Sequence, residues 1–409
     1  MHTLALILAG GRGSRLDLLS EHRVKPAVPF AGKYRIIDFT LSNLSNSGIY
    51  DIAILTQYLP LSLNEHIGTG KPWDFDRRDS RLTLLQPYKE WYHGTADAVR
   101  QNIQYMQRST ADTVLILSGD HVYKMNYQKM LAHHKTTGAA LTIAVQPVPW
   151  EDTHRFGILS TDEDTRITKF SEKPTDADSN LASMGIYVFD KHVLLDAITT
   201  LEQEDLDFGK HVIPYLLSKD ASIYAHVFND YWKDVGTYDA YLEANLELTA
   251  TVDKIPLDMY DRHWRIYTRS VEMPAVKIGS KAKISQALIA NGCIIAGDVE
   301  RSVLSPGVIV HPGAKVKDSV ILNDCEIMPG ATVDRAILDK KVVVGFNVKL
   351  GHGNDYTPNK EKPDLLESGI NVVGKGITIP DGTTIERNCR ISPGVTIKEK
   401  MIPSGSTLR

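Results

Sequence analysis

The chain has 409 residues, more than one ordinary hydrophobic core organises, so two domains are expected. With 42% hydrophobic and 23% charged residues, the composition is globular rather than disordered or fibrous. A net charge of -4 gives no global attraction to nucleic acid or to an acidic membrane, and neither is expected as a partner.

The first apolar run, Leu4–Leu8, is a strand candidate. It is too short for a signal-peptide core or a spanning helix, and no long uncharged apolar stretch follows it, so a cytoplasmic location is expected. It breaks into Gly10-Gly11-Arg12-Gly13-Ser14-Arg15. Glycines let backbone amides approach phosphate oxygens, and a guanidinium adds a planar fork of donors. No Gly-Lys-Ser/Thr follows, which excludes a Walker loop, and Leu16 stands where a dinucleotide fingerprint needs its third glycine. A phosphate cradle and an exposed basic turn both remain open on these residues alone.

Further strand candidates are Asp51–Thr56, Val114–Leu117, Ala140–Val145 and Ser183–Phe189. Helical stretches such as Asp97–Met106 and Gln128–Thr136 lie between them. This alternation predicts an α/β fold, a Rossmann-like and mostly parallel sheet covered on both faces. Ligands bind such sheets outside the carboxyl ends of the strands. His133-His134 is assigned to a solvated helix face; no HExxH and no Ser-His-Asp set occurs. Residues 254–268, "KIPLDMYDRHWRIYT", read as part of a linker with Trp264 and Tyr267 as anchors. The expected organisation is a catalytic domain over 1–253, a linker over 254–275 and a repeat domain over 276–409.

In that last part the helical pattern disappears. "PGAKVKDSVIL" begins at Pro312 and "PGATVDRAIL" at Pro329, and short apolar pairs recur between turn residues. The rhythm predicts a parallel β-helix, in which each coil buries its apolar face on the next. An antiparallel sandwich of short strands is the alternative. Residues 351–369 interrupt the rhythm and predict a protruding loop. The three cysteines, Cys293, Cys325 and Cys389, are odd in number and form no CxxC. They are expected as buried thiols in a reducing compartment, with neither a disulfide framework nor a structural zinc.

Several stretches occur in one order: "GGRGSRL" (10–16), "KPAVPFAGKYRIIDF" (25–39), "WYHGTADAVRQN" (91–102), "LSGDHVYKMNY" (117–127), "RFGI" (155–158), "FSEKP" (170–174), "LASMGIYVF" (181–189), "DFGKHVIP" (207–214) and "YWKDVGT" (231–237). On these the sequence resembles the sugar-1-phosphate nucleotidyltransferases, and within them the branch that adenylylates glucose 1-phosphate at the committed step of bacterial glycogen synthesis. The resemblance implies ATP and glucose 1-phosphate as substrates and Mg²⁺ as cofactor. It also implies a left-handed β-helix, and either a homotetramer or a mixed tetramer with a degenerate paralogous subunit.

The site residues follow from the same resemblance. Arg15, Lys25 and Asp120 are implied as catalytic, with Asp120 and Asp234 holding the metal. Gly11, Gly13, Gln86 and Gly94 would bind the nucleotide. Tyr92, Gly157, Glu172, Lys173 and Ser183 would bind glucose 1-phosphate. Outside the matched motifs, Asp120 reads as a helix N-cap and Glu172-Lys173 as a surface charge pair. Many members carry a lysine and a histidine for a sugar-phosphate activator where this chain has His22 and Pro29; Arg35 matches a third effector position. Transfer from UTP, dTTP or GTP is one competing reading, and a non-catalytic regulatory subunit of the same fold is another. Retention of Arg15, Lys25, Asp120, Lys173 and Asp234 argues for an active enzyme. All assigned residues precede position 240, so the repeat domain is expected to serve assembly.

Overall fold

The computed structural model describes residues 2–11, 13–88 and 90–409. The chain forms two compact units. The first takes Met1–Gly11, Phe39–Trp232 and Arg262–Tyr267; the second takes Arg12–Asp38, Lys233–Asp261 and Thr268–Arg409.

The first unit is built on a nine-stranded sheet. Its strands are β1 (Thr3–Leu8), β2 (Asp51–Leu55), β3 (Arg81–Leu85), β4 (Thr113–Ser118), β5 (Leu141–Pro147), β6 (Gly157–Thr161), β7 (Ile167–Glu172), β8 (Leu181–Asp190) and β9 (Ile223–Val227). Along the main path the order is β7-β6-β8-β4-β1-β2-β3, and β5 joins β8 to β9. Strands β4, β1, β2 and β3 run parallel. β1 is buried on both faces, as its unbroken apolar run requires. β8 runs antiparallel to both β4 and β5, so the sheet is mixed. Helices α1 (Thr95–Gln101), α2 (Ile103–Arg108), α3 (Tyr127–Thr137) and α4 (Lys191–Thr200) accompany it. One buried apolar cluster joins Leu4, Val114, Ile143 and Phe189. Trp264 and Tyr267 anchor their segment in this unit. The Trp264 indole donates to Asn43 Oδ1 at 3.0 Å, and the Tyr267 amide donates to the Ser42 hydroxyl at 2.8 Å.

His134 departs from the sequence expectation. It is 4% exposed and lies 2.8 Å from the Thr142 hydroxyl. Burial pulls its pKa down to about 4, with His133 adding to the effect and Asp190 opposing it. α3 therefore turns this histidine toward β5.

The second unit contains α5 (Tyr238–Glu247) and the repeat region. All of the repeat strands pair in parallel. Successive coils align Val310 with Ile327, Val316 with Val333 and Ile321 with Leu338. Each alignment spans one 17-residue coil, and the aligned residues are buried. This is a parallel β-helix; the sandwich alternative needed antiparallel pairs. The three cysteines are free and buried within it. Residues 351–369 leave the coil and return in register, Leu338 pairing with Val373. The excursion does not simply protrude, because Asn359 and Leu366 are fully buried. The Asn359 side chain donates to the Asn388 and Ser406 carbonyls at 3.0 and 3.1 Å, and Arg387 donates to the Gly353 carbonyl at 3.1 Å.

Candidate active site

The glycine-rich loop leaves the carboxyl end of β1. Gly13 has φ 62°, a left-handed conformation that glycine adopts without strain, and a side chain there would press on Lys25. Gly11 has open space where a side chain would sit. Arg12 lies outside the described residues. From Gly13 the chain enters a 3₁₀ segment, Ser14–Ser20. Within the second unit Arg15 and Lys25 converge on one carboxylate. Lys25 Nζ is 2.5 Å from Asp234 Oδ1, and an Arg15 nitrogen is 3.5 Å from Asp234 Oδ2. Lys25 is buried, whereas the Arg15 side chain is 55% exposed and can reach solvent-borne anions.

In the first unit Asp120 follows the end of β4. It precedes a short strand, His121–Tyr123, not a helix, so the N-cap reading fails. The Gly119 amide donates to the Leu8 carbonyl at 3.0 Å, which fixes this turn beside the end of β1. Asp120 Oδ1 accepts from the Ser118 hydroxyl and lies 3.6 Å from His121 Nε2.

The remaining assigned residues form two groups. Gln86, just past β3, lines a cavity of about 340 Å³ with Gln57, Pro60, Tyr88 and Trp91. Gln57 clamps the neighbouring loop. Its side chain accepts from the Tyr92 amide at 2.6 Å and donates to the Tyr92 carbonyl at 3.2 Å. The Tyr92 hydroxyl accepts from Asn102, and burial raises its pKa. Gly94 caps α1, and any side chain there would meet the Leu206 carbonyl oxygen at 2.2 Å.

The other group centres on Glu172. It pairs in register with Gly157, where a Cβ would meet the Phe170 ring at 2.6 Å and Glu172 Oε2 at 2.9 Å. The missing side chain thus makes room for these two residues, not directly for a sugar ring. A Cβ at Gly209 would meet Glu172 Oε2 at 2.5 Å. Ser183 precedes an irregularity in β8, where Gly185 has φ 68°. The Ser183 hydroxyl is 3.4 Å from the Tyr187 hydroxyl. Burial raises the Tyr187 pKa, the Ser183 hydroxyl opposes the shift, and the negative charges of Asp207 and Glu172 add to it. Lys173 points outward; its side chain is 62% exposed and sits 3.5 Å from Glu172. Sequence reasoning did not single out Gln57, Tyr187, Asp207 or Gly209. Asp207 and Gly209 stand within "DFGKHVIP", the one signal that could have found them.

A strand-borne glycine-rich loop followed by basic side chains gathered on one carboxylate suits the handling of a phosphate group. The chain belongs to the nucleotidyl transferase family, whose sequence model matches residues 4–251. A second model, GlmU-like C-terminal hexapeptide, matches residues 272–373 and agrees with a left-handed β-helix. Among its relatives is a glucose-1-phosphate adenylyltransferase of Thermomicrobium roseum, 50% identical over 98% of this chain and 96% of the relative. Relatives of the same name come from Acetivibrio thermocellus, 47% identical over 97% of this chain and 94% of the relative, and Bacillus cereus, 46% identical over 89% and 96%.

Proposed function

We propose that this chain transfers the adenylyl group of ATP to α-D-glucose 1-phosphate, forming ADP-glucose and pyrophosphate at the committed step of bacterial glycogen synthesis. The observation that carries this reading is 50% identity, over 98% of the chain, to a glucose-1-phosphate adenylyltransferase, in a chain that keeps Arg15, Lys25, Asp120 and Asp234. The nucleophile is a phosphate monoester with a second pKa of about 6, already largely dianionic near neutral pH. It needs no general base. The obstacle is the meeting of two anions and the charge that builds on the leaving pyrophosphate, so catalysis rests on cations and positioning. Arg15 and Lys25 supply those cations. Gly11, Gly13 and Gly94 bind the nucleotide through their backbone, Gly11 from the open space beside it, and Gln86 in its cavity contacts the base. Glu172 accepts from sugar hydroxyls, Tyr92 and Ser183 add hydroxyl contacts beside Gly157, and Lys173 pairs with the sugar phosphate.

Asp120 and Asp234 would hold Mg²⁺. The donors fit, because carboxylates offer the hard oxygens this ion prefers and the Ser118 hydroxyl orients Asp120. When bound, the ion would neutralise charge on the phosphate oxygens. Arg35 is the candidate effector residue. Nearby, burial and the positive charges of Arg23, Arg35 and Lys375, opposed by Asp339, lower the Lys340 pKa to about 8. Among the described residues no helix is long and apolar enough to cross a membrane. A cytoplasmic tetramer, homomeric or mixed, completes the reading.

The test is pyrophosphate release from glucose 1-phosphate and Mg²⁺ with each of ATP, UTP, dTTP and GTP. ATP alone should support rapid release. Preference for another nucleotide would overturn the adenylyl assignment, and no release with any would favour a regulatory subunit.

A further inference from the structure

The chain that follows Arg15 does not continue as a regular helix. Asp17 has φ 39° and ψ -105°, outside the conformations an aspartate normally adopts. Such a residue persists only where its surroundings over-determine it. Two segments of the second unit do so. Arg390, on a strand of one of the last β-helix coils, presents a two-pronged fork, Nε 2.5 Å from Asp17 Oδ2 and a terminal nitrogen 3.2 Å from Oδ1. Its remaining terminal nitrogen donates to the Ser392 hydroxyl at 2.6 Å, which locks the guanidinium plane. The Tyr238 hydroxyl donates to Asp17 Oδ2 at 3.3 Å and accepts from the Leu18 amide at 3.0 Å. Both ionic side chains are largely shielded, Arg390 at 12% and Asp17 at 15% exposure.

The position of this clamp matters. Asp17 lies two residues after Arg15, and Tyr238 lies four residues after Asp234. Arg15 and Asp234 themselves touch. The clamp therefore ties the two segments that carry the charged groups of the site to a fixed point on the β-helix. Arg15 is a long, exposed side chain whose aim depends on the backbone beneath it. We propose that Arg390 is a positioning residue for the nucleotide loop: its fork on Asp17 holds the turn that directs Arg15 at the triphosphate. This rests on the adenylyl-transfer reading above. It gives the repeat domain a part in the chemistry, where the sequence suggested assembly more than chemistry.

The experiment compares wild type, Arg390→Ala, Arg390→Lys and the double variant Asp17→Asn/Arg390→Ala. It reads oligomeric state, KM for each substrate, and amide hydrogen exchange over residues 13–20. Loss of positioning should raise the KM for ATP by roughly ten- to a hundredfold, as small displacements of charged groups do, and move the KM for glucose 1-phosphate less than about twofold. Exchange over residues 13–20 should quicken while the assembly stays intact. Arg390→Lys keeps the charge without the fork, so it should fold as wild type and recover only part of the effect. The double variant should be no worse than Arg390→Ala. Equal shifts in both KM values, or unchanged exchange in a folded variant, overturns the inference. If wild type releases no pyrophosphate from ATP, the functional reading fails instead, and exchange over residues 13–20 still decides whether Arg390 holds the loop.

Discussion

Lys173 and Glu172 illustrate how one geometry serves two descriptions. The lysine is exposed and lies beside a carboxylate, as in any surface pair, and such pairs contribute little to stability. Its backbone adopts φ 48°, and its amide donates to the Phe156 carbonyl at 3.0 Å, so the residue is held at a fixed corner after β7. A charged hydrogen bond to a phosphate contributes roughly 1.5–3 kcal/mol, so Lys173→Ala should raise the KM for glucose 1-phosphate about ten- to a hundredfold. Steady-state kinetics with each substrate varied in turn will show this, and the KM for ATP should change far less. Movement of the ATP value alone would reverse the two phosphate assignments. Absence of movement in both would leave Lys173 as half of a surface pair.

At the scale of elements, α3 packs His134 against β5, while His133 stacks near His226 of β9 with ring centroids 5.6 Å apart. Burial holds both His134 and His226 near pKa 4, below the ordinary value of 6.5. The unfolded chain therefore takes up protons first as pH falls. Stability is unaffected by these groups above about pH 6.5, declines between about 6.5 and 4, and levels off below that. For the buried His134 the loss is on the order of 3 kcal/mol. Thermal melts across this range should show the decline, and His134→Gln should flatten it. The helix itself is legible in the sequence, as are the apolar runs of β1, β2, β4, β5 and β8. The inward turn of His134 is not, because a polar residue on a helix face gives no sign of which neighbour it meets. β6, β7 and β9 are short and mixed in polarity, and the antiparallel direction of β8 is a property of pairing. The motifs mark most of the candidate site, Tyr187 within "LASMGIYVF" included, but Gln57 enters it only through the folded structure. Asp17 and Arg390 are 373 residues apart, and no local pattern joins them.

For the whole molecule, the second unit draws an early segment of the chain into the β-helix. Arg23 places two hydrogen bonds of 2.9 Å on Asp339, and the two side chains are 5% and 1% exposed. Removing one partner of such a pair leaves a buried charge and costs about 3–5 kcal/mol. Asp339→Ala should therefore lower the denaturation midpoint sharply, and pairing it with Arg23→Met should restore much of the loss. Additive losses in the double variant would show that the two side chains act separately. The buried thiols carry a different consequence. All three cysteines of the chain stand in the β-helix, and burial raises the pKa of Cys325 to about 12 and of Cys389 to about 11. A thiol in that state resists modification until its coil opens. The native sequence thus contains a clock that ticks only when the solenoid breathes. The rate of colour release from an aromatic disulfide reagent would time that opening without any engineered label, and ATP added to the mixture would reveal whether nucleotide occupancy slows it.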